Sequence, residues 1–209
     1  MPHEPLKIFI SAVTSELGKA RDALAADLRA RGHEVTIQSD FQQSPDSETL
    51  LGLLADYIHD CHVVICIVGK RAGAHPPIRA AEGYPKVLPA GIKEASYTQW
   101  EFFFARHFKR RPYVYIARGD YSPDQAGVSG DRSTLQHAFR DHLKSENVHY
   151  GPFSNVDQLA RAVLRDLPEL AAKPPPKPLP AAKPIVLPYR SIGSRFKGRD
   201  AFMDRCAGA

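Results

Sequence analysis

The chain has 209 residues, 43% of them hydrophobic and 24% charged, with a formal net charge of +5. That length fills one well-packed domain with a remainder and falls short of two. The positive charge is concentrated at the end: from Lys173 onward eight Lys and Arg face two acids, so residues 1–172 are near neutral, which argues against a nucleic-acid surface on the folded part.

The three cysteines, Cys61, Cys66 and Cys206, are odd in number and lack metal-ligand spacing, so reduced thiols are expected. Nine histidines are scattered without an H-x-x-x-H pattern, and no metal site is predicted. With no signal peptide and no apolar run near the roughly 20 residues that span a bilayer, the expectation is a cytoplasmic protein without membrane contact.

In chain order, residues 7–10 read as a short apolar strand and residues 11–15 as a polar turn. A helix follows with Leu17, Ala20, Leu24 and Leu28 on one face, closed by Gly32. Residues 34–38 alternate as a second strand, and residues 41–47 form a loop around Pro45. The next helix turns Leu50, Leu54, Tyr57 and Ile58 inward. Residues 63–68 are an unbroken apolar run of the kind a central parallel strand requires, ending at Gly69.

Residues 69–96 form a long irregular connection with Pro76, Pro77, Pro85 and Pro89; connections of this length inside a domain are usually functional. Ser96 with Gln99 three residues later reads as a capping box that opens an aromatic helix running to about Arg110. A fourth strand spans 113–117, and residues 133–146 form an amphipathic helix through Leu135, Ala138, Phe139 and Leu143. A weak strand at His149 and Tyr150 precedes a last helix carrying Leu159, Val163 and Leu167. Alternating strands and helices predict an α/β fold with a parallel sheet of about five strands. From 171 to 188 the composition shifts to Pro, Ala and Lys, a polyproline II spacer.

The residue that stands out is Glu101. At about 100° per residue it shares a narrow sector with Tyr97, Phe104 and Phe108, with Trp100 at the edge. A carboxylate in an aromatic face is matched by a partner, protonated, or present for chemistry. The basic run Arg106, His107, Lys109, Arg110 and Arg111 is read as complementing the helix C-terminus.

The apolar strand ending in Ser11, Glu16 at the first helix, the Pro45 loop, the 63–69 strand and Ser96-Tyr97-Thr98-Gln99-Trp100-Glu101 together resemble a TIR-like domain over residues 5–168. The resemblance is to the branch found at the N-terminus of bacterial multidomain signalling proteins, and it implies a flavodoxin-like sheet in the order 2-1-3-4-5 within residues 1–170. It also implies a crevice between the first and third strands, where that order reverses. Residues 189–209, with Phe196-Lys197-Gly198-Arg199-Asp200, resemble the entry segment of a STAND or NB-ARC ATPase, cut before its phosphate loop.

TIR enzymes cleave the nicotinamide–ribose bond of NAD with a Glu at the position that Glu101 matches. The resemblance therefore implies Glu101 as the catalytic group, NAD as substrate rather than cofactor, and activity on homo-oligomerisation, in bacterial immune signalling. Ser11, Ala12, Tyr97 and Trp100 would line the substrate, and Arg71 or Arg79 would meet the diphosphate. Three alternatives stay open for the same residues: ion pairing of Glu101, a non-catalytic homotypic module associating through the 41–47 loop, and a nucleoside deoxyribosyltransferase-like enzyme with Glu101 as nucleophile. A phosphoacceptor receiver is disfavoured, because Val68 is followed by Gly69 and Lys70 where an Asp is needed.

Overall fold

Residues 63–68 become β3 (Val63–Val68), with all six side chains buried. β-branched residues suit a strand covered on both faces, and β3 lies in the middle of the sheet. The computed structural model describes residues 4–41, 47–125, 133–146, 148 and 150–170, all within the unit Met1–Pro175. The spacer and tail expected beyond residue 170 lie outside the described residues.

β1 (Lys7–Ala12) and β4 (Pro112–Ala117) flank β3, with β2 (Glu34–Ile37) and β5 (Tyr150–Phe153) at the edges. All four pairings are parallel, and the order is β2-β1-β3-β4-β5, as expected from the sequence. Alternate residues divide between two cores. Ile8, Ile10, Ile65 and Ile67 pack under α1 (Thr14–Ala30) and α6 (Val156–Asp166). Phe9, Val64, Cys66 and Val68 face α2 (Ser47–Asp60), α4 (Tyr97–His107) and α5 (Ser133–Ser145). Between β3 and α4 the long connection contains one short helix, α3 (Ile78–Glu82).

Several inward assignments are corrected. Tyr57 is 42% exposed and stacks on Phe41, whose ring lies 4.7 Å away. Phe41, at the start of the 41–47 loop read as an association surface, also stacks near Phe9 and is half buried; residues 42–46 lie outside the described residues. On α5, Ala138 faces solvent and Gln136 takes its place in the buried stripe with Phe139 and Leu143. Residues 136, 139 and 143 share one helix face at spacings of three and four, whereas 138 falls to the side.

The connections at the C-terminal ends of the strands are tied together by Glu16. Its buried carboxylate accepts the backbone amides of Lys70 at 2.7 Å and Arg71 at 2.8 Å. In return the Arg71 guanidinium donates to the carbonyls of Ser15 at 3.0 Å and Gln125 at 2.8 Å. α1 is broken at Leu17 (φ −131°, ψ 15°), and Asp124 caps the part beyond the break by accepting from the Lys19 amide at 2.7 Å. A Cβ at Gly69 would overlap the Glu16 carboxylate. Gly69→Ala is therefore expected to lower stability by about 2 kcal/mol or more, measured by urea unfolding, because the carboxylate has to leave two amides unpaired to make room.

A buried carboxyl at the strand switch point

The order 2-1-3-4-5 reverses between β1 and β3, and a cleft opens at their C-terminal ends. Ser11 and Cys66, paired across the two strands, lie at its floor, with Gly69 at the end of β3. Thr98 of α4 and Gln136 and Phe139 of α5 complete it. The cavity is small, about 10 Å³, room for roughly one water molecule, so the cleft as it stands is closed to a small-molecule ligand.

α4 starts where the capping pattern placed it. The Ser96 amide donates to Gln99 Oε1 at 3.0 Å, and Trp100 N–H closes the first turn on the Ser96 carbonyl at 2.8 Å. The Ser96 hydroxyl is hydrogen bonded to Thr98 Oγ1 at 3.1 Å. Eight of the eleven residues of α4 are buried, so the polar ones among them need partners inside the protein. Gln99 is fully engaged: its Nε2 donates to Gln136 Oε1 at 3.0 Å, and Gln136 Nε2 donates to the Gly69 carbonyl at 3.0 Å.

Glu101 is 2% exposed, and burial pushes its carboxyl up to about 8. The Ser11 hydroxyl and the positive charge of Arg21 act in the opposite direction and do not cancel the loss of water. Arg21 is itself committed to Thr14 and Asp22. Among the described residues no cation stands within ion-pair distance of Glu101, so the salt-bridge alternative has no partner here. The Cys66 thiol is held protonated by burial and by the neighbouring Glu101. At neutral pH the site is thus largely uncharged, with a carboxyl poised to ionise when a positive charge approaches.

The expected site residues divide. Ser11 and Glu101 come together through a hydrogen bond; Glu101 itself does not line the cleft but is buried beside Ser11 and Cys66, which do. Ala12 turns its side chain to the α1 face. Trp100 packs on Tyr84 and Phe104 in the α2/α4 core, away from the cleft lining. Tyr97 is buried in the first turn of α4, its amide donating to the Ala74 carbonyl at 2.9 Å and its hydroxyl pushed above its ordinary value by desolvation. Arg71 braces two loops through backbone carbonyls, and Arg79 is exposed on α3. Cys66, Thr98 and Gln136 were missed. For Gln136 a signal existed, a Gln three residues before Phe139 on one helix face.

The profile of a family described as "Domain of unknown function (DUF4062)" matches residues 7–168. No curated protein is matched. Among solved structures, the CMP N-glycosidase BcmB of Clostridium botulinum is similar at 18% identity, covering 77% of this chain and 98% of that one, with a TM-score of 0.41. The apo form of translation elongation factor SelB from Methanococcus maripaludis is similar at 12% identity and a TM-score of 0.40, over 80% of this chain and 36% of that one.

The Glu101 carboxyl makes stability depend on pH in a set direction. Its folded-state value of about 8 lies above the unfolded value of about 4.3, so its contribution is fully present below pH ~4 and is lost as pH rises through about 8. Glu101→Gln removes that loss. In urea unfolding the variant is expected to gain on the native protein, by an amount on the order of a few kcal/mol, between pH 5 and pH 9. Parallel profiles would show that the carboxyl is not desolvated.

Proposed function

The chain belongs to the DUF4062 family, and we propose that it cleaves the nicotinamide–ribose bond of NAD with Glu101 as the carboxylate that stabilises the ribosyl cation. The observation that carries this reading is the buried Glu101 carboxyl beside Ser11 at the strand switch point, raised to about 8 and without an ion-pair partner among the described residues. The nicotinamide ring of NAD is cationic. Its arrival beside the carboxyl favours the ionised form, and the proton leaves to solvent. The bond from ribose C1′ to the ring nitrogen then breaks with its electron pair moving to nicotinamide, which departs neutral and needs no general acid. The oxocarbenium-like ribose left behind faces the carboxylate, in a dry site where such an interaction is strong. Water adds at C1′ to give ADP-ribose. The Ser11 hydroxyl favours the ionised carboxylate through its hydrogen bond.

A second reading, a nucleoside deoxyribosyltransferase-like enzyme with Glu101 as nucleophile at the ribose, draws on the same buried carboxyl beside Ser11. The proposal extends to self-association through residues 41–47 and to a signalling role ahead of an ATPase segment. Both parts rest on the TIR-like resemblance and on that of Phe196–Asp200 to STAND proteins.

Incubating concentrated protein with NAD, and separately with the common nucleosides and their monophosphates, and resolving the released bases by chromatography decides between the readings. NAD cleavage is expected, with kcat/KM rising with pH through about 8 as Glu101 ionises, and Glu101→Gln is expected to lower turnover by a factor of roughly 100 or more at unchanged fold. Base release from nucleosides alone would replace the first reading with the second. A Glu101→Gln protein as active as the native one would remove both.

A further inference from the structure

Glu101 is sealed from solvent beside Ser11 and Cys66 of the cleft lining. The cleft holds only about 10 Å³, so a ligand approaches the carboxyl only if a wall of the cleft moves. β1 and β3 are interior strands and cannot part without breaking the sheet. The α1 side is pinned by the Glu16, Arg71 and Asp124 bonds, and α4 is buried along eight of its eleven residues. α5 is different. Of its thirteen residues three are buried: Gln136, Phe139 and Leu143. It reaches the site through Gln136, bonded to Gly69 and Gln99 at 3.0 Å each, and through a longer 3.4 Å bond from Arg140 to the same Gly69 carbonyl. Phe139 adds edge contacts to Phe102 and Phe103.

We propose that α5 is the door to Glu101 and that Gln136 is its latch. A leucine at 136 would bind the helix to the core by apolar burial alone, which is lost in full on opening. A glutamine exchanges its bonds to Gly69 and Gln99 for bonds to water, so the net difference between closed and open is small. The polar residue in the buried stripe is what makes opening inexpensive, and its two partners define the closed position. Glu16 contributes from the far side. By holding the amides of Lys70 and Arg71 it fixes the peptide whose carbonyl receives the latch. The purpose of the door rests on the role proposed for Glu101; its motion does not, and the test uses no substrate.

Two buried cysteines at opposite ends of the β3 region report on it: Cys66 lines the cleft, and Cys61 precedes the strand. In the full-length chain carrying Cys206→Ser, the rates at which a small thiol reagent modifies Cys61 and Cys66 are followed by mass spectrometry. Each rate is divided by its value in denaturant, which removes the difference in thiol reactivity. Cys66 is expected to react faster than Cys61 on this scale, because local opening precedes global unfolding. Gln136→Ala should raise the Cys66 rate about tenfold while leaving that of Cys61 unchanged, with Arg140→Ala giving a smaller rise of the same kind. A Cys66 rate equal to or below that of Cys61, or equal rises at both cysteines in Gln136→Ala, overturns the proposal and makes α5 a fixed wall.

Discussion

The carboxylate of Glu16 is the constraint on which the upper edge of this sheet depends. Three connections meet there, after β1, β3 and β4, and none contains enough regular structure to hold its own shape. Glu16 draws the amides of Lys70 and Arg71 onto α1, and Arg71 reaches back to Ser15 and Gln125. Each bond is charge-assisted, and such bonds are stronger than neutral ones. Together they orient the peptide after Gly69 so that its carbonyl faces α5 and its neighbouring amides face α1. That carbonyl receives Gln136, and so the geometry of the candidate site begins with a residue on the opposite side of the sheet.

Glu101 is governed by the opposite balance. Glu16 accepts two amides, whereas Glu101 lies against a hydroxyl, a thiol and aromatic rings, with a distant guanidinium that lowers but does not offset the cost of burial. The two buried glutamates thus take different roles: one holds loops, the other is kept uncharged. A carboxyl in that position weakens the fold whenever it ionises, because its charged form is the one burial disfavours.

Much of the fold was legible because the signals were local. The run 63–68, the capping pair Ser96 and Gln99, and the alternation of strands and helices each carry their own period, and the parallel order followed from the resemblance. Glu101 was legible for the same reason, as a charge within an apolar helix face. The partners of the site were not. Ser11 and Cys66 become neighbours only through strand register, and Gln136 arrives from a helix 35 residues after Glu101 in the chain. Arg71 was read as a ligand for phosphate because a cation in a long loop often is; the carbonyls of Ser15 and Gln125 were invisible to a reading by residue type. Trp100 was placed by its angle on the helix wheel, yet Tyr84 from the long connection covers it and turns it into core.

The two sides of the cleft therefore divide rigidity and access between them. On the α1 side, charge-assisted bonds to backbone fix the loops; on the α5 side, the Gln136 and Arg140 bonds, ring contacts of Phe139 and His142 and the buried Leu143 hold a mostly exposed helix. Chemistry that builds positive charge beside a carboxylate gains most when water is absent at the moment of bond cleavage. It also needs water to be admitted before and after, to carry ligand in and product out. A wall secured by neutral hydrogen bonds meets both needs, since those bonds are nearly balanced by water when open and exclude it when closed. On the proposed reading, a carboxyl raised to about 8 by burial is disfavoured as a charge only while that wall is closed on an empty site.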